Sequence, residues 1–328
     1  MRRYALLVAA SSNRVYAAAA PDLALAELTV FGRALATPPG DAAVTAIAGL
    51  PYVTFTGDLA AVEVDLLANL SAAYGLFELV GDDLLRPVPL RPLARFDDDL
   101  ITIPKYAGKT NEQFTKLLLN VTVLAARPGL AEPLVVLDPL AGRGSTLNQA
   151  LVYGYSGIGI EIDGKDVDAY SAFLRAYLQR KKIKHRTDFA PVRRDRRQVA
   201  RRFEASVGDQ SVVLYHGDTT AARDYLRASC ADVLVADAPY GVAHGAHAGG
   251  ALARNPVALL RAALPVWRQL LRPGGALGLA WNTRVAPRAE VAKLLADNGF
   301  AVVDGPGYDA LEHRVDQSIQ RDVIVARN

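Results

Sequence analysis

The sequence predicts an α/β fold: a doubly wound, mostly parallel sheet over residues 96–328, preceded by a smaller α+β unit over residues 1–95. Three observations carry that expectation. From residue 134 onward, apolar runs of strand length alternate with segments whose apolar residues recur at helical spacing. The first of these runs leads into Asp138-Pro139-Leu140-Ala141-Gly142-Arg143-Gly144-Ser145, a glycine-bearing turn of the kind that joins a strand to a helix. Residues before 96 keep a different rhythm and end in Pro87, Pro89 and Pro92, followed by three Asp at 97–99, which reads as a linker.

Of 328 residues, 51% are hydrophobic and 22% charged, enough apolar mass for a large core, which excludes disorder as the main state. Asp, Arg, Asn or Gly breaks the Ala- and Leu-rich stretches every few positions, so no membrane span is expected. Arg2 and Arg3 ahead of an apolar run to Ala10 have the outline of a signal peptide, but the run is short and reads as a first strand. Cys230 stands alone, so neither an intramolecular disulfide nor a cysteine zinc site is available, and a reducing, cytoplasmic setting is expected. The net charge is only +3, yet residues 180–202 hold eleven Lys or Arg against two Asp. Such a block is a solvated helix face or a footprint for an anionic polymer, and phosphate contacts are expected from Arg180, Lys181, Lys182, Lys184, Arg193, Arg194, Arg196 and Arg197.

Element by element, residues 4–9 read as a strand, 23–35 as a helix and 52–56 as a strand, while 76–80 and 84–88 flank Gly81-Asp82-Asp83 as a hairpin. Thr110-Asn111-Glu112-Gln113 has capping-box spacing, so a helix should run from Asn111 to about Ala126, burying Phe114, Leu117, Leu118, Val121 and Leu124 and stopping at Arg127-Pro128-Gly129. Then come a strand at 134–137, a helix at 145–153, a strand at 157–161 and a helix at 166–181. Strands follow at 212–216, 233–236 and 276–281, with helices at 256–271 and 287–298. Residues 319–326 form a closing strand, paired antiparallel with the segment near 312–315.

Carboxylates fall at the ends of successive strands. Gly142 and Gly144 let backbone approach a ligand, but Leu147 stands where a dinucleotide fingerprint wants its third glycine. Glu161, nineteen residues beyond Gly142, can accept hydrogen bonds from both ribose hydroxyls of an adenosine cofactor, and Asp163 caps the next helix. Asp218, after His216-Gly217, can accept from an adenine amino group. The fourth strand ends in Asp237-Ala238-Pro239-Tyr240-Gly241.

At this motif the chain resembles the class I S-adenosylmethionine-dependent methyltransferases that modify exocyclic amino groups of nucleobases, whose sequence here is Asp or Asn, Pro, Pro, Tyr or Phe. Ala238 replaces the first Pro and keeps the backbone carbonyl while losing a fixed φ. The resemblance implies that Asp237 and the next backbone carbonyl hold the target amine, that Tyr240 stacks on an extruded base, and that Ala238 and Pro239 shape the turn. It also implies S-adenosylmethionine as cofactor, held by Asp138, Pro139, Ala141, Gly142, Gly144, Glu161 and Asp218, with no metal. Within the superfamily the chain is most similar to the tRNA guanine N2-methyltransferases related to the THUMP-containing enzymes, over about residues 105–328. Lys105-Tyr106-Ala107-Gly108-Lys109-Thr110 adds to that likeness. It implies a Rossmann-like, seven-stranded methyltransferase sheet, a ferredoxin-like N-terminal unit expected to be too short to include a THUMP domain, and a role in tRNA processing with RNA favoured over DNA as partner.

Three alternatives share some of these features. A DNA adenine-N6 or cytosine-N4 methyltransferase uses the same motif chemistry, a non-catalytic RNA-binding protein could keep the scaffold, and a nicotinamide-dependent dehydrogenase shares only the strand–helix rhythm and Glu161. His244 and His247, in a Gly-rich stretch after the motif, read as part of a loop over the site rather than as a metal pair.

Overall fold

The computed structural model describes residues 1–81, 84–106, 108–127, 129–240 and 256–328. The first unit comprises β1 (Arg2–Val8), α1 (Arg14–Gly32), β2 (Gly40–Ile47), β3 (Leu50–Gly57), α2 (Ala61–Leu67), β4 (Ala73–Val80) and β5 (Leu84–Val88). These strands form one antiparallel sheet in the order β2-β3-β1-β4-β5, a ferredoxin-like βαββαβ arrangement with a fifth strand at its edge. The hairpin between β4 and β5 is present as expected, although Asp82 and Asp83 of its turn lie outside the described residues. Helix α1 starts nine residues before its expected beginning, because Asn13 caps it through the amides of Val15 and Tyr16. By length and composition α1 could cross a membrane, but Leu23, Ala24, Leu28 and Phe31 are buried in the core.

The second unit continues with α3 (Asp99–Thr102), α4 (Glu112–Ala126), β6 (Val135–Asp138), α5 (Ser145–Tyr153), β7 (Ser156–Glu161), α6 (Gly164–Arg180), β8 (Arg186–Arg194), β9 (Arg197–Val207) and β10 (Gln210–His216). It ends with β11 (Ala231–Asp237), α7 (Pro256–Leu270), β12 (Leu271–Asn282), α8 (Arg288–Asp297), β13 (Ala301–Val302), β14 (His313–Arg314) and β15 (Gln320–Arg327). The strands lie in the order β13-β15-β12-β11-β6-β7-β10-β9-β8, with β14 paired to β15. Strands β6, β7, β10, β11 and β12 are parallel, and β15 runs antiparallel between β12 and β13. Counted from β6, the seven strands from β10 to β13 stand in the order 3-2-1-4-5-7-6, the Rossmann-like methyltransferase sheet expected, with its switch point between β6 and β11.

The sheet is wider than seven strands because the basic insertion folds onto it. Residues 186–207, where no strand is expected from sequence, form the β8–β9 hairpin, and β9 pairs with β10 from Gln210↔Val207 to His216↔Arg201. Its two-residue turn, Asp195-Arg196, has both residues at positive φ, 48° and 66°, as a type I′ turn requires. No Asn-Gly or Asp-Gly marks that turn in sequence, so the hairpin was not legible there.

Helix α4 packs between the second sheet and α1 and is buried nearly all round, through Thr115, Leu119, Asn120, Thr122 and Val123 as well as most of the expected stripe, while Leu124 is half-buried. Gly278 on β12 makes that approach possible, since a Cβ there would sit 1.8 Å from Thr122 Oγ1. The expected capping box at Thr110 is a correction. Asn111 caps α4 instead, its side chain accepting from Phe114 N at 3.1 Å, and Gln113 Nε2 donates to Ala9 O at 3.2 Å. The helix ends at Ala126 as expected, with Pro128 outside the described residues.

Candidate active site

A crevice of about 1130 Å³ opens at the carboxyl ends of β6, β7, β10 and β11. Sites in doubly wound sheets form there because the chain leaves in opposite directions on either side of the switch point. Asp138, Pro139, Ala141, Gly142, Glu161, Asp218, Asp237, Ala238, Pro239 and Tyr240 all line it, so the structure gathers residues read from four separate turns. Gly144 is the exception. Its φ of +77° and the Tyr170 ring, 2.2 Å from where a Cβ would stand, make it a packing residue at the start of α5, and it does not line the crevice. The Gly-rich stretch with His244 and His247, and Gly241 of the motif, lie outside the described residues.

At one end, Glu161 Oε2 accepts from Gly142 N at 2.8 Å and Oε1 from Asp163 N at 2.7 Å. Burial raises its pKa, and those backbone bonds oppose the rise. A carboxylate offers about four acceptor directions, and the amides of Gly142, Asp163 and Ile162 leave part of that capacity for a ligand hydroxyl. Gly142, at φ +49°, has no atom within 4 Å of a would-be Cβ. Asp163 caps α6 as expected, accepting from Lys165 N at 2.8 Å. Asp218 accepts from the Thr220 amide and hydroxyl, at 2.8 and 2.7 Å, both on Oδ1. Asp138 is buried on the crevice floor; desolvation first, opposed by hydrogen bonds from Thr146 and Leu140 N, brings its pKa to about 7, with Asp237 and Glu161 adding to the rise.

At the other end, three groups surround the Asp237 carboxylate. Thr110 Oγ1 donates to Oδ2 at 2.7 Å, the Tyr240 hydroxyl donates to Oδ1, and the Arg321 guanidinium lies 3.9 Å from Oδ2. Arg321, 4% exposed, sits 4.1 Å above the Phe114 ring and 5.0 Å from the Tyr240 ring. The expected stacking face of Tyr240 is therefore shared with a cation on one side. Asn282 Nδ2 donates to the Tyr240 carbonyl at 3.3 Å and ties the turn to β12. Sequence reasoning missed Thr110 and Arg321 as members of the site. A lone Arg-Asp pair inside the apolar closing strand was the available signal.

In the 105–110 segment, Tyr106 lines the crevice, its hydroxyl 3.1 Å from Ser145 Oγ and its ring under Arg143 at 4.9 Å. Lys109 turns elsewhere, to Ile101 O at 2.7 Å and Glu112 at 2.5 Å. Ala107 is outside the described residues. Cys230 is buried.

The basic block does not form one footprint. Helix α6 runs from the crevice end of the sheet to the opposite end, so Arg180, Lys181, Lys182 and Lys184 lie far from the crevice, and Lys181 is held by Asp97 and Asp99, each at 2.7 Å. Because β9 runs antiparallel to β10, the hairpin turn with Arg193, Arg194, Arg196 and Arg197 projects past the carboxyl ends of the parallel strands, on the crevice side. Arg194 pairs with Asp224 at 2.6 Å; all four of these arginines are exposed.

Neither a protein-family profile nor a curated protein matches the chain. Solved structures similar to it include a TehB-like SAM-dependent methyltransferase from Corynebacterium glutamicum, at 13% identity over 60% of this chain and 80% of that one, with a TM-score of 0.36. Another is P. horikoshii TYW2 in complex with MeSAdo, at 16% identity over 60% of this chain and 56% of that one, with a TM-score of 0.35. A third is a precorrin-6y C5,15-methyltransferase from Geobacter metallireducens, at 16% identity over 72% and 97%, with a TM-score of 0.39. The fold assignment stands on the strand order of this chain and not on these likenesses.

Proposed function

We propose that this protein transfers a methyl group from S-adenosylmethionine to an exocyclic amino group of a nucleobase, guanine N2 in tRNA or another structured RNA being the favoured target. The observation that carries the reading is that Glu161, Gly142 and Asp218 share one crevice with Asp237 and Tyr240. Its volume exceeds the roughly 300–1,000 Å³ usual for one small ligand, which leaves room for a base beside the cofactor.

The residues present fit the cofactor. Glu161 keeps acceptor directions for the ribose hydroxyls, Asp218 Oδ2 faces no backbone cap, and the bare Gly142 position leaves space against the strand tips. When bound, S-adenosylmethionine supplies an electrophilic methyl group on a sulfonium. The chain then has to present a poor nucleophile, because a base amino lone pair is delocalised into the ring. Asp237 accepting an N–H holds the amine so that this pair points toward the methyl carbon, and Tyr240 sets the plane of the base. With the cofactor bound, the transfer would form a nitrogen–carbon bond at the expense of the sulfonium carbon–sulfur bond, and the part this chain plays is to hold the amine against the Asp237 carboxylate with the base plane set by Tyr240. Positioning of this kind supplies much of the acceleration. The exposed arginines of the β8–β9 turn offer phosphate contacts beside the crevice, which give affinity without sequence choice.

The test incubates the full chain with labelled cofactor and separate RNA and DNA pools, then digests them to nucleosides. Label in N2-methylguanosine from RNA is expected, and Asp237→Ala should abolish it while leaving cofactor affinity, read by calorimetry, unchanged. Label only in N6-methyladenine or N4-methylcytosine from DNA would replace the substrate, and RNA binding without label in either pool would overturn the enzyme reading.

A further inference from the structure

We propose that Thr110 and Arg321 are positioning residues that clamp the Asp237 carboxylate, and that the N-terminal α+β unit holds this clamp. The inference rests on the methyl-transfer reading and extends it to residues outside the motif. The terminal torsion of an aspartate is broad, so its carboxylate plane is not set by its own rotamer. Here Thr110 Oγ1 fixes Oδ2 at 2.7 Å, and Arg321 places its charge 3.9 Å from the same oxygen. Oδ1 is then left for the substrate amine, and in this structure the Tyr240 hydroxyl occupies it.

Both clamp residues are held from the N-terminal unit. Thr110 stands at the entry to α4, where Asn111 Nδ2 donates to Ser11 Oγ at 2.9 Å and Gln113 Nε2 to Ala9 O at 3.2 Å, both in the loop between β1 and α1. Arg321 lies over Phe114, whose ring is 5.1 Å from that of His313, and His313 meets Tyr16 of α1 edge-on at 5.8 Å. His313 faces Arg321 across the β14–β15 pair, so it packs behind the guanidinium. Two separate contact chains thus run from the first unit to one carboxylate, which gives that unit a part in the chemistry beyond any contact with nucleic acid.

A hydrogen bond to a charged group is worth about 1.5–3 kcal/mol, or about 10–150-fold in rate if it acts only on the reacting geometry. Thr110→Val keeps the shape and removes the hydroxyl, whereas Thr110→Ser keeps the hydroxyl. Steady-state transfer to RNA should show kcat at least tenfold lower in Thr110→Val, with KM and cofactor affinity within about twofold, and recovery in Thr110→Ser. Arg321→Lys, which keeps the charge but loses the flat stack on two rings, should also lower kcat. Wild-type turnover in Thr110→Val, or a Thr110→Ser variant as poor as the Val one, overturns the clamp. A readout independent of activity separates this from failure of the methylation reading: the carboxyl carbon resonance of Asp237, identified by its loss in Asp237→Asn, should move in Thr110→Val and not in Thr110→Ser. An unmoved resonance overturns the clamp even where transfer is found, and a moved resonance without transfer to any pool overturns only the methylation reading.

Discussion

Asp138 shows how one buried group links the crevice to pH. Its pKa of about 7 lies above the ordinary carboxylate value mainly through desolvation, so the folded protein holds a proton there that the unfolded chain releases near pH 4. The stability this contributes is fully present below pH 4 and is lost as pH rises through 7. Melting temperature measured from pH 5 to 8 should therefore fall less steeply in Asp138→Asn than in wild type. A cationic ligand in the crevice favours the ionised form, so cofactor affinity should rise between pH 6 and 8 with proton release; a flat affinity profile would contradict this. Tyr240 makes a second prediction. Tyr240→Phe frees Asp237 Oδ1 and keeps the ring, so its kcat should stay within about threefold of wild type, whereas Tyr240→Ala loses stacking worth about 1–3 kcal/mol. Equal damage from both would remove stacking from the role of Tyr240.

The basic block shows what an element does to a sequence pattern. Eleven cations over residues 180–202 look like one surface, but a helix and a returning hairpin carry them to opposite ends of the sheet. Changing Arg193, Arg196 and Arg197 to Gln should weaken RNA binding and flatten its salt dependence by about two units of log–log slope, counting about 0.7 per phosphate contact. The same change at Lys182 and Lys184 should have much less effect, and fluorescence anisotropy over a salt series distinguishes the two sets. Helix α5 shows the opposite case. It runs over Ser145–Tyr153 as read, because Gly144 and Gly154, both at positive φ, bound it at its two ends and glycine marks such limits in a sequence.

Across the whole molecule, a buried polar network joins α1 and the segment between α2 and β4 to α5 through α4. Asn120 Nδ2 donates to Glu27 Oε1 at 2.7 Å and Asn69 O at 2.8 Å, the Tyr153 hydroxyl donates to Asn120 Oδ1 at 2.7 Å, and Ser71 donates to Glu27 Oε2 through amide and hydroxyl. Glu27 is fully buried, and desolvation raises its pKa against the pull of these donors. Asn120→Ala strands several of these groups at once and should cost about 2–4 kcal/mol in denaturant unfolding. A loss below about 1 kcal/mol would show that the two units do not depend on each other in this way.

The sequence by itself determined the strand–helix alternation, the order of the carboxylate-bearing turns and the Asp237 motif, because hydrophobic period, helix limits and strand-end residues are local properties of the chain. Only the tertiary structure decided that Thr110 leaves its expected cap for Asp237, that Gly144 serves Tyr170, that Arg321 reaches the site from the closing strand, and that the basic residues part company. Each of these depends on which distant segment lies alongside. A side chain with two hydrogen-bonding options, or a charge with two faces to occupy, has no preference until packing supplies the neighbour.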